Sequence, residues 1–325
     1  MWKVYGVILL WKYATTLIGI VSAQGESDKE LIYVQAIWRH GDRAPKQLPY
    51  PNDKYNETAW PRGWGQVTNI GIMQMYELGQ FFRQRYTSFI RDFNAEDVDL
   101  VSSKSDRAIV SGLAMLRGFF PAIGQEEWLQ NEQWQPLPLQ VATTDAIDHN
   151  MTQPSWVYNV WPQFNNETTI SIISSLKRIR RISQFNSAEK ARLRGGLLMK
   201  DWIDRARNVS LGLSVIPHKI KLHSAHDGTL LALMYALGIG NNLLVPYASC
   251  AIMEIYKTLN NHTIMFFYKN GTIAHQLLLP GCPSYDNCTI AQVEKAVSRR
   301  SVRSLQQLNK MCRSVSPQVL QHSVA

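Results

Sequence analysis

Leu31-Ile32-Tyr33-Val34-Gln35-Ala36-Ile37 runs without a break into Trp38-Arg39-His40-Gly41-Asp42-Arg43-Ala44-Pro45, and the junction between them decides how the chain is read. The first run is apolar and rich in β-branched and aromatic residues, which predicts a buried strand over 31–37. The chain then turns at once through Arg, His, Gly and Arg. Gly41 admits either a close backbone approach or a positive φ, and Pro45 stiffens the exit. Two guanidiniums around one imidazole make an anion site with a nucleophile inside it. An arginine fork matches phosphate oxygens bidentately, and a neutral imidazole can attack phosphorus. A solvated basic turn would explain one arginine, but not His40 and Gly41 held between Arg39 and Arg43.

A second strand end supplies what this loop lacks. Residues 219–224 read as a strand, followed by Ala225-His226-Asp227-Gly228-Thr229 and an apolar helix over 230–237. A carboxylic acid at Asp227 can protonate a departing alkoxide, and His226 can donate to a non-bridging phosphate oxygen. His223, His226 and Asp227 are also a conceivable metal set, but the spacing is weak evidence and a cation would compete with the arginines for phosphate. No metal and no cofactor is expected. His223, on the strand itself, is read as a packed core histidine.

These stretches resemble the histidine acid phosphatases, a branch of the histidine phosphatase superfamily. The resemblance is carried by Arg39–Pro45, by Trp60-Pro61-Arg62-Gly63-Trp64-Gly65 with Gln66–Gly71, and by Arg107. It continues in Leu193-Arg194-Gly195-Gly196, Ser224–Thr229, Tyr247-Ala248-Ser249-Cys250 and Leu279-Pro280-Gly281-Cys282. Their order is similar to the animal prostatic and lysosomal-type enzymes. The resemblance implies an α/β fold of the histidine phosphatase and phosphoglycerate mutase type, an open, mostly parallel sheet flanked by helices. It also implies hydrolysis of phosphate monoesters at acid pH through a phosphohistidine at His40, with Asp227 as proton donor and Arg39, Arg43, Arg107 and His226 on the phosphate. The guanidiniums should keep His40 neutral well into the acid range. A phytase-like inositol-polyphosphate phosphatase and a non-catalytic phosphate-ester binder are the alternatives.

Two departures from the family pattern stand out. Val101-Ser102-Ser103-Lys104 replaces the usual Arg-Ser-Thr-Asp ahead of Asp106-Arg107. A helical cap insert expected near 145–149 is missing, leaving a reduced cap over about 142–208. In the family that insert holds the partners of the cysteines matching Cys250 and Cys312, so these two are expected to be unpaired or joined to each other.

The remaining composition fits an exported globular protein. The chain has 325 residues, 45% hydrophobic and 18% charged, with a net charge of +9. Basic clusters at 177–181, 190–194 and 298–303 lack the interleaved aromatics of a nucleic-acid module and are read as solvated faces. Residues 1–23 read as a cleaved signal peptide, with an uncleaved anchor as the alternative, and no later run is long enough to span a bilayer. Sequons at Asn56, Asn150, Asn166, Asn208, Asn261, Asn270 and Asn287 support a secreted or lysosomal glycoprotein, and hence an oxidising compartment. Cys282 and Cys288 bracket a turn-rich loop suited to a local disulfide. Small phosphate monoesters are the expected partners, with no nucleic acid and no stable membrane span in the mature chain; a homodimer is compatible with this reading.

Other elements follow from pattern. Thr68 should cap a helix over about 70–85 with Ile72, Met75, Tyr76, Phe82 and Tyr86 on one face. A strand is expected near 98–102, then a helix from Asp106 with an apolar stripe of Ile109, Val110, Leu113 and Leu116. Further strands are expected over 137–141, 249–256 and 263–268. The reduced cap should hold a helix over about 168–183 and one opened by a capping box at 186–189. One domain is expected over 24–313, with a loose tail over 314–325.

Overall fold

The computed structural model describes residues 29–48, 53–142, 158–259 and 261–314. The expected leader at 1–23, the sequon at Asn150, the shortened junction at 145–149 and the tail beyond Ser314 lie outside them. Strand β1 (Glu30–Arg39) is buried along most of its length because both of its faces are covered. Val34, Ala36 and Trp38 enter one core, Tyr33 and Ile37 the other. The strand period of two thus divides one unbroken apolar run between two layers. Gln35 faces the second layer and donates from Nε2 to the carbonyl of Trp202 at 2.9 Å.

After β1 come α1 (Asn69–Tyr86), β2 (Val98–Ser103), α2 (Asp106–Phe119) and β3 (Gln140–Ala142). The two-residue strands β4 (Val160–Trp161) and β5 (Glu167–Thr168) precede α3 (Thr169–Ile182) and α4 (Ala188–Ser210). Strand β6 (Ile220–Ala225) leads straight into α5 (Asp227–Leu237). A meander of β7 (Cys250–Lys257), β8 (His262–Asn270) and β9 (Ile273–Leu277) is followed by α6 (Ile290–Val297) and α7 (Leu305–Ser314). One seven-stranded sheet has the order β3-β2-β6-β1-β7-β8-β9. Its first four members are parallel, and the meander adds antiparallel strands beyond β1. This is the expected open α/β sheet.

Strands β1 and β6 are parallel neighbours, with Arg39 paired to Ala225 at their ends. The chain leaves β1 toward α1, which packs with α2 on one face, and leaves β6 toward α5, which packs with α4 on the other. Departure of adjacent parallel strands to opposite faces opens a crevice at their carboxyl ends, where open α/β sheets place ligands.

Several local expectations are corrected. Of the stripe expected on α2, only Leu116 is buried; Ile109, Val110 and Leu113 are half-buried, while Arg107, Ala108, Ser111, Gly112, Met115 and Phe119 are covered. The helix is squeezed between the sheet and α1, so small residues face inward. A Cβ on Gly79 would lie 2.0 Å from the Met115 carbonyl oxygen, and one on Gly118 2.2 Å from that of Tyr76. On α1 the buried face is Met75, Leu78, Phe82 and Tyr86, with Ile72 and Tyr76 at its margin. Helix α4 is capped by Ser187 on the Lys190 amide without a box, whereas Thr289 and Gln292 form one at α6. Strand β3 begins at Gln140, later than expected, because only Gln140–Ala142 pairs with β2. Ser314 closes α7 and so belongs to a helix.

Cys282 and Cys288 are joined, their Cα atoms 4.8 Å apart. Cys250 is buried in the sheet and Cys312 is exposed, both as free thiols. The sequons at Asn56, Asn166, Asn261, Asn270 and Asn287 are exposed, and Asn208 is half-buried. Among the described residues no helix is long and apolar enough to cross a membrane.

Candidate active site

His40 stands at the carboxyl end of β1, its amide donating to the Ala225 carbonyl of β6 at 3.0 Å. Its ring is almost wholly buried. Nδ1 lies 2.8 Å from the carbonyl oxygen of Gly41, and Nε2 lies 3.3 Å from Nε of Arg107. A guanidinium N–H can only donate, so Nε2 accepts, and the proton sits on Nδ1, where it bonds Gly41. Both contacts specify one tautomer, with the Nε2 lone pair turned toward Arg107. Burial holds the imidazole well below its ordinary pKa, and the charges of Arg39 and Arg107 act in the same direction.

The loop after His40 is held by backbone as much as by side chains. Asp42 accepts from the Thr68 amide at 2.9 Å and, through Oδ2, from the Thr68 hydroxyl at 2.6 Å. The Ala44 amide donates to Gln66, and the Gly65 amide to Pro45. The stretch from Gly65 to Gly71 therefore clamps the histidine loop onto the start of α1. Gly41 needs no positive φ. Its missing Cβ admits the Gly71 carbonyl, which a Cβ would meet at 2.1 Å. Its amide donates to Ser111 Oγ on α2 at 3.0 Å.

Three of the expected residues, Arg39, Arg107 and His226, face the imidazole, while Arg43 and Asp227 stand on the adjoining backbone. Arg107, on the first turn of α2, is buried against His40. The His226 ring lies 5.4 Å from the His40 ring, centroid to centroid. Arg39 stacks its guanidinium 3.7 Å above the Tyr247 ring and donates from Nη1 to the Val245 carbonyl. Arg43 is fully buried three residues beyond His40, with Nη1 on the Ala44 carbonyl. Asp227 opens α5 immediately after His226.

Three participants escaped the sequence reading. Tyr247, noted only as part of a motif, packs 5.7 Å from the His40 ring as well as under Arg39. Ser103, inside the segment that departs from the family pattern, holds Nε2 of His226 at 2.8 Å. Arg181, expected on a solvated basic face, instead donates from Nε and Nη2 to Oδ2 and Oδ1 of Asp227, each at 2.9 Å. His223 lies outside the group, and burial next to Lys221 and Arg205 lowers it to about 4.

The crevice at the tips of β1 and β6 thus holds a neutral imidazole among buried guanidiniums, an arrangement suited to an anion beside a nucleophile. The sequence profile of the histidine phosphatase superfamily (branch 2) matches residues 30–174. Lysosomal acid phosphatase of Xenopus laevis is 30% identical, over 78% of this chain and 73% of that protein. Prostatic acid phosphatase of Bos taurus is 28% identical, over 90% of this chain and 89% of that protein. The solved apo structure of Hafnia alvei phytase, at 12% identity, shares the fold with a TM-score of 0.56, covering 84% of this chain and 97% of that one. The chain belongs to the histidine phosphatase superfamily, branch 2.

Proposed function

We propose that the chain is an acid phosphatase that hydrolyses phosphate monoesters through a phosphohistidine on Nε2 of His40. The single observation carrying this is the tautomer. The Gly41 carbonyl accepts the Nδ1–H, which leaves the Nε2 lone pair toward Arg107, a guanidinium placed to receive a phosphoryl oxygen. In the first step Nε2 forms a bond to phosphorus while the ester oxygen departs; in the second, water displaces the imidazole and inorganic phosphate leaves. Arg39, Arg43, Arg107 and His226 are assigned to the non-bridging oxygens, where fixed donors in a dry site stabilise developing charge. Buried Nε of Arg39 lacks an acceptor among the described residues, consistent with a donor kept for an anion. Asp227, which follows His226 at the start of α5, is assigned the leaving-group side. The exposed sequons and the disulfide support a secretory-route glycoprotein.

Hydrolysis of p-nitrophenyl phosphate by the purified chain tests the reading, with His40→Ala as control and rapid quenching to trap the phosphoenzyme. The expected result is turnover in acid, an acid-labile phosphoprotein, and at least about a thousand-fold loss in His40→Ala. Turnover that survives His40→Ala would overturn it.

A further inference from the structure

Helix α3 carries its apolar residues on the wrong side for a helix that only packs inward. It rests on the body of the protein through buried Ile182 and half-buried Ile172, Ser175 and Arg178. Outward it turns Ile170, Ile173, Leu176 and Ile179, the last three 47%, 60% and 58% exposed. A surface helix ordinarily buries such a stripe and wets its polar side. The β4–β5 hairpin prolongs the patch with exposed Val160, Trp161 and Phe164. Trp161 Nε1 donates to Thr169 Oγ1 at 2.8 Å, and the Thr169 amide to the Asn159 carbonyl at 3.0 Å. The hairpin is thus tied to the first turn of α3, and the two present one apolar surface rather than scattered side chains. Its charge has one sign. Residues 168–188 hold Lys177, Arg178, Arg180 and Arg181 and no Asp or Glu. Arg181 pairs with Asp227 and Arg178 donates to the Asn242 carbonyl. Lys177 and Arg180 are exposed, in the same outward arc as Ile173 and Leu176.

We propose that this face docks on a membrane surface containing acidic phospholipid, with α3 lying in the plane of the interface. Whatever covers the face must take apolar side chains and cations together. An acidic lipid interface does both. Acyl chains receive the isoleucines and Leu176, headgroup phosphates meet Lys177 and Arg180 at the ends of their alkyl stems, and Trp161 suits the level between. A second copy of this chain suits the face poorly, because a two-fold contact would set Lys177 and Arg180 against the same cations. Helix α3 has 14 residues, too few to cross a bilayer, so the attachment is peripheral. This goes beyond the phosphatase reading and does not rest on it.

The test is co-sedimentation of the full chain with phosphatidylcholine vesicles, made with and without phosphatidylserine. N-linked glycans are removed first, so that one at Asn166 does not screen the hairpin. The unaltered protein should bind the phosphatidylserine vesicles at least about ten-fold more strongly than the neutral ones, and lose that excess at roughly 0.5 M salt. Lys177→Gln with Arg180→Gln should remove most of the preference. Ile173→Ser with Leu176→Ser should weaken binding about ten-fold or more with every cation in place. All four positions are exposed, so the thermal midpoint should hold in both variants. Should the serine pair fail to fold, Val160→Ser with Phe164→Ser decides in its stead. Absence of binding to the phosphatidylserine vesicles would overturn the proposal. So would binding that the serine pair leaves intact, which marks adsorption by charge alone. Self-association of the unaltered chain that the serine pair abolishes would name a second copy as the occupant and overturn it too. Phosphatase turnover is not read here, so failure of the phosphohistidine reading and failure of this one remain distinct.

Discussion

In the proposed reaction the imidazole of residue 40 attacks only while uncharged, and burial is the largest of the causes that keep it so. Turnover of p-nitrophenyl phosphate should therefore show no loss with a midpoint near 6.5 on acidification, measured as kcat/KM from pH 7.5 to 4.5. The same depression affects stability. Both His40 and His223 take a proton near 6.5 when unfolded and at lower pH when folded, about 4 for His223. Between those values the unfolded chain holds more protons, so stability is present above 6.5 and falls as pH falls. Each group contributes a slope of roughly 1.4 kcal/mol per pH unit. His223→Gln should flatten the acid limb of denaturant-derived unfolding free energy by about one such slope. Parallel limbs in the two proteins would refute the assignment. Legibility at this scale followed proximity in the chain. Arg39, His40 and Arg43 were readable because one loop carries them, and His226 and Asp227 because they are adjacent. Arg181 reaches Asp227 across 46 positions and Ser103 reaches His226 across 123, so only the fold brings them together. No local pattern marks either pair.

Strand β1, covered on both faces, was readable from its unbroken apolar run, and α1 from its wet and apolar faces, whereas α2, wedged between the sheet and α1, was misread. The strand over β1 and the Thr68 cap of α1 follow from local chemistry. The stripe on α2 did not, because hydrophobicity is a poor guide when the tightest contact is between backbones and the residues facing it are Ala108, Ser111 and Gly112. Packing of α1 on α2 passes through Gly79 and Gly118, each of whose absent Cβ would strike main-chain atoms of the other helix. Gly79→Ala should cost about 1–3 kcal/mol despite its gain in helix propensity, read as a lower thermal midpoint. Gly124→Ala is an instructive control: its site has no neighbour within 4 Å but a φ of +67°, so its cost comes from backbone strain alone. The disulfide acts at the same scale. Cys282–Cys288 closes a short loop between β9 and α6, with Cys288 buried in the core beside Ile290. The chain-entropy estimate for so short a loop is about 2 kcal/mol, so the Cys282→Ser, Cys288→Ser pair should lose about that in denaturant unfolding while p-nitrophenyl phosphate turnover at 25 °C persists.

The whole molecule carries 34 Lys and Arg against 25 Asp and Glu, and the placement of that excess matters more than its sum. Part of it is consumed internally: Arg300 donates to the Ala236 carbonyl, Arg192 to Ser301, and Arg181 to Asp227. On α3, Lys177 and Arg180 are exposed, about one turn or less from Arg181. A solvated basic face beside the proposed phosphate site is also an electrostatic guide, since exposed cations draw a dianion inward over distances comparable to the screening length. Steering of this kind raises the encounter rate and leaves the bound complex alone. Replacing Lys177 and Arg180 together by Glu should therefore lower kcat/KM for a dianionic substrate several-fold at roughly 20 mM salt, with kcat unchanged. At roughly 0.5 M salt, where the screening length is only a few ångström, the difference should disappear. A loss that persisted in high salt would mean that these side chains bind substrate directly, and the steering account of α3 would fall.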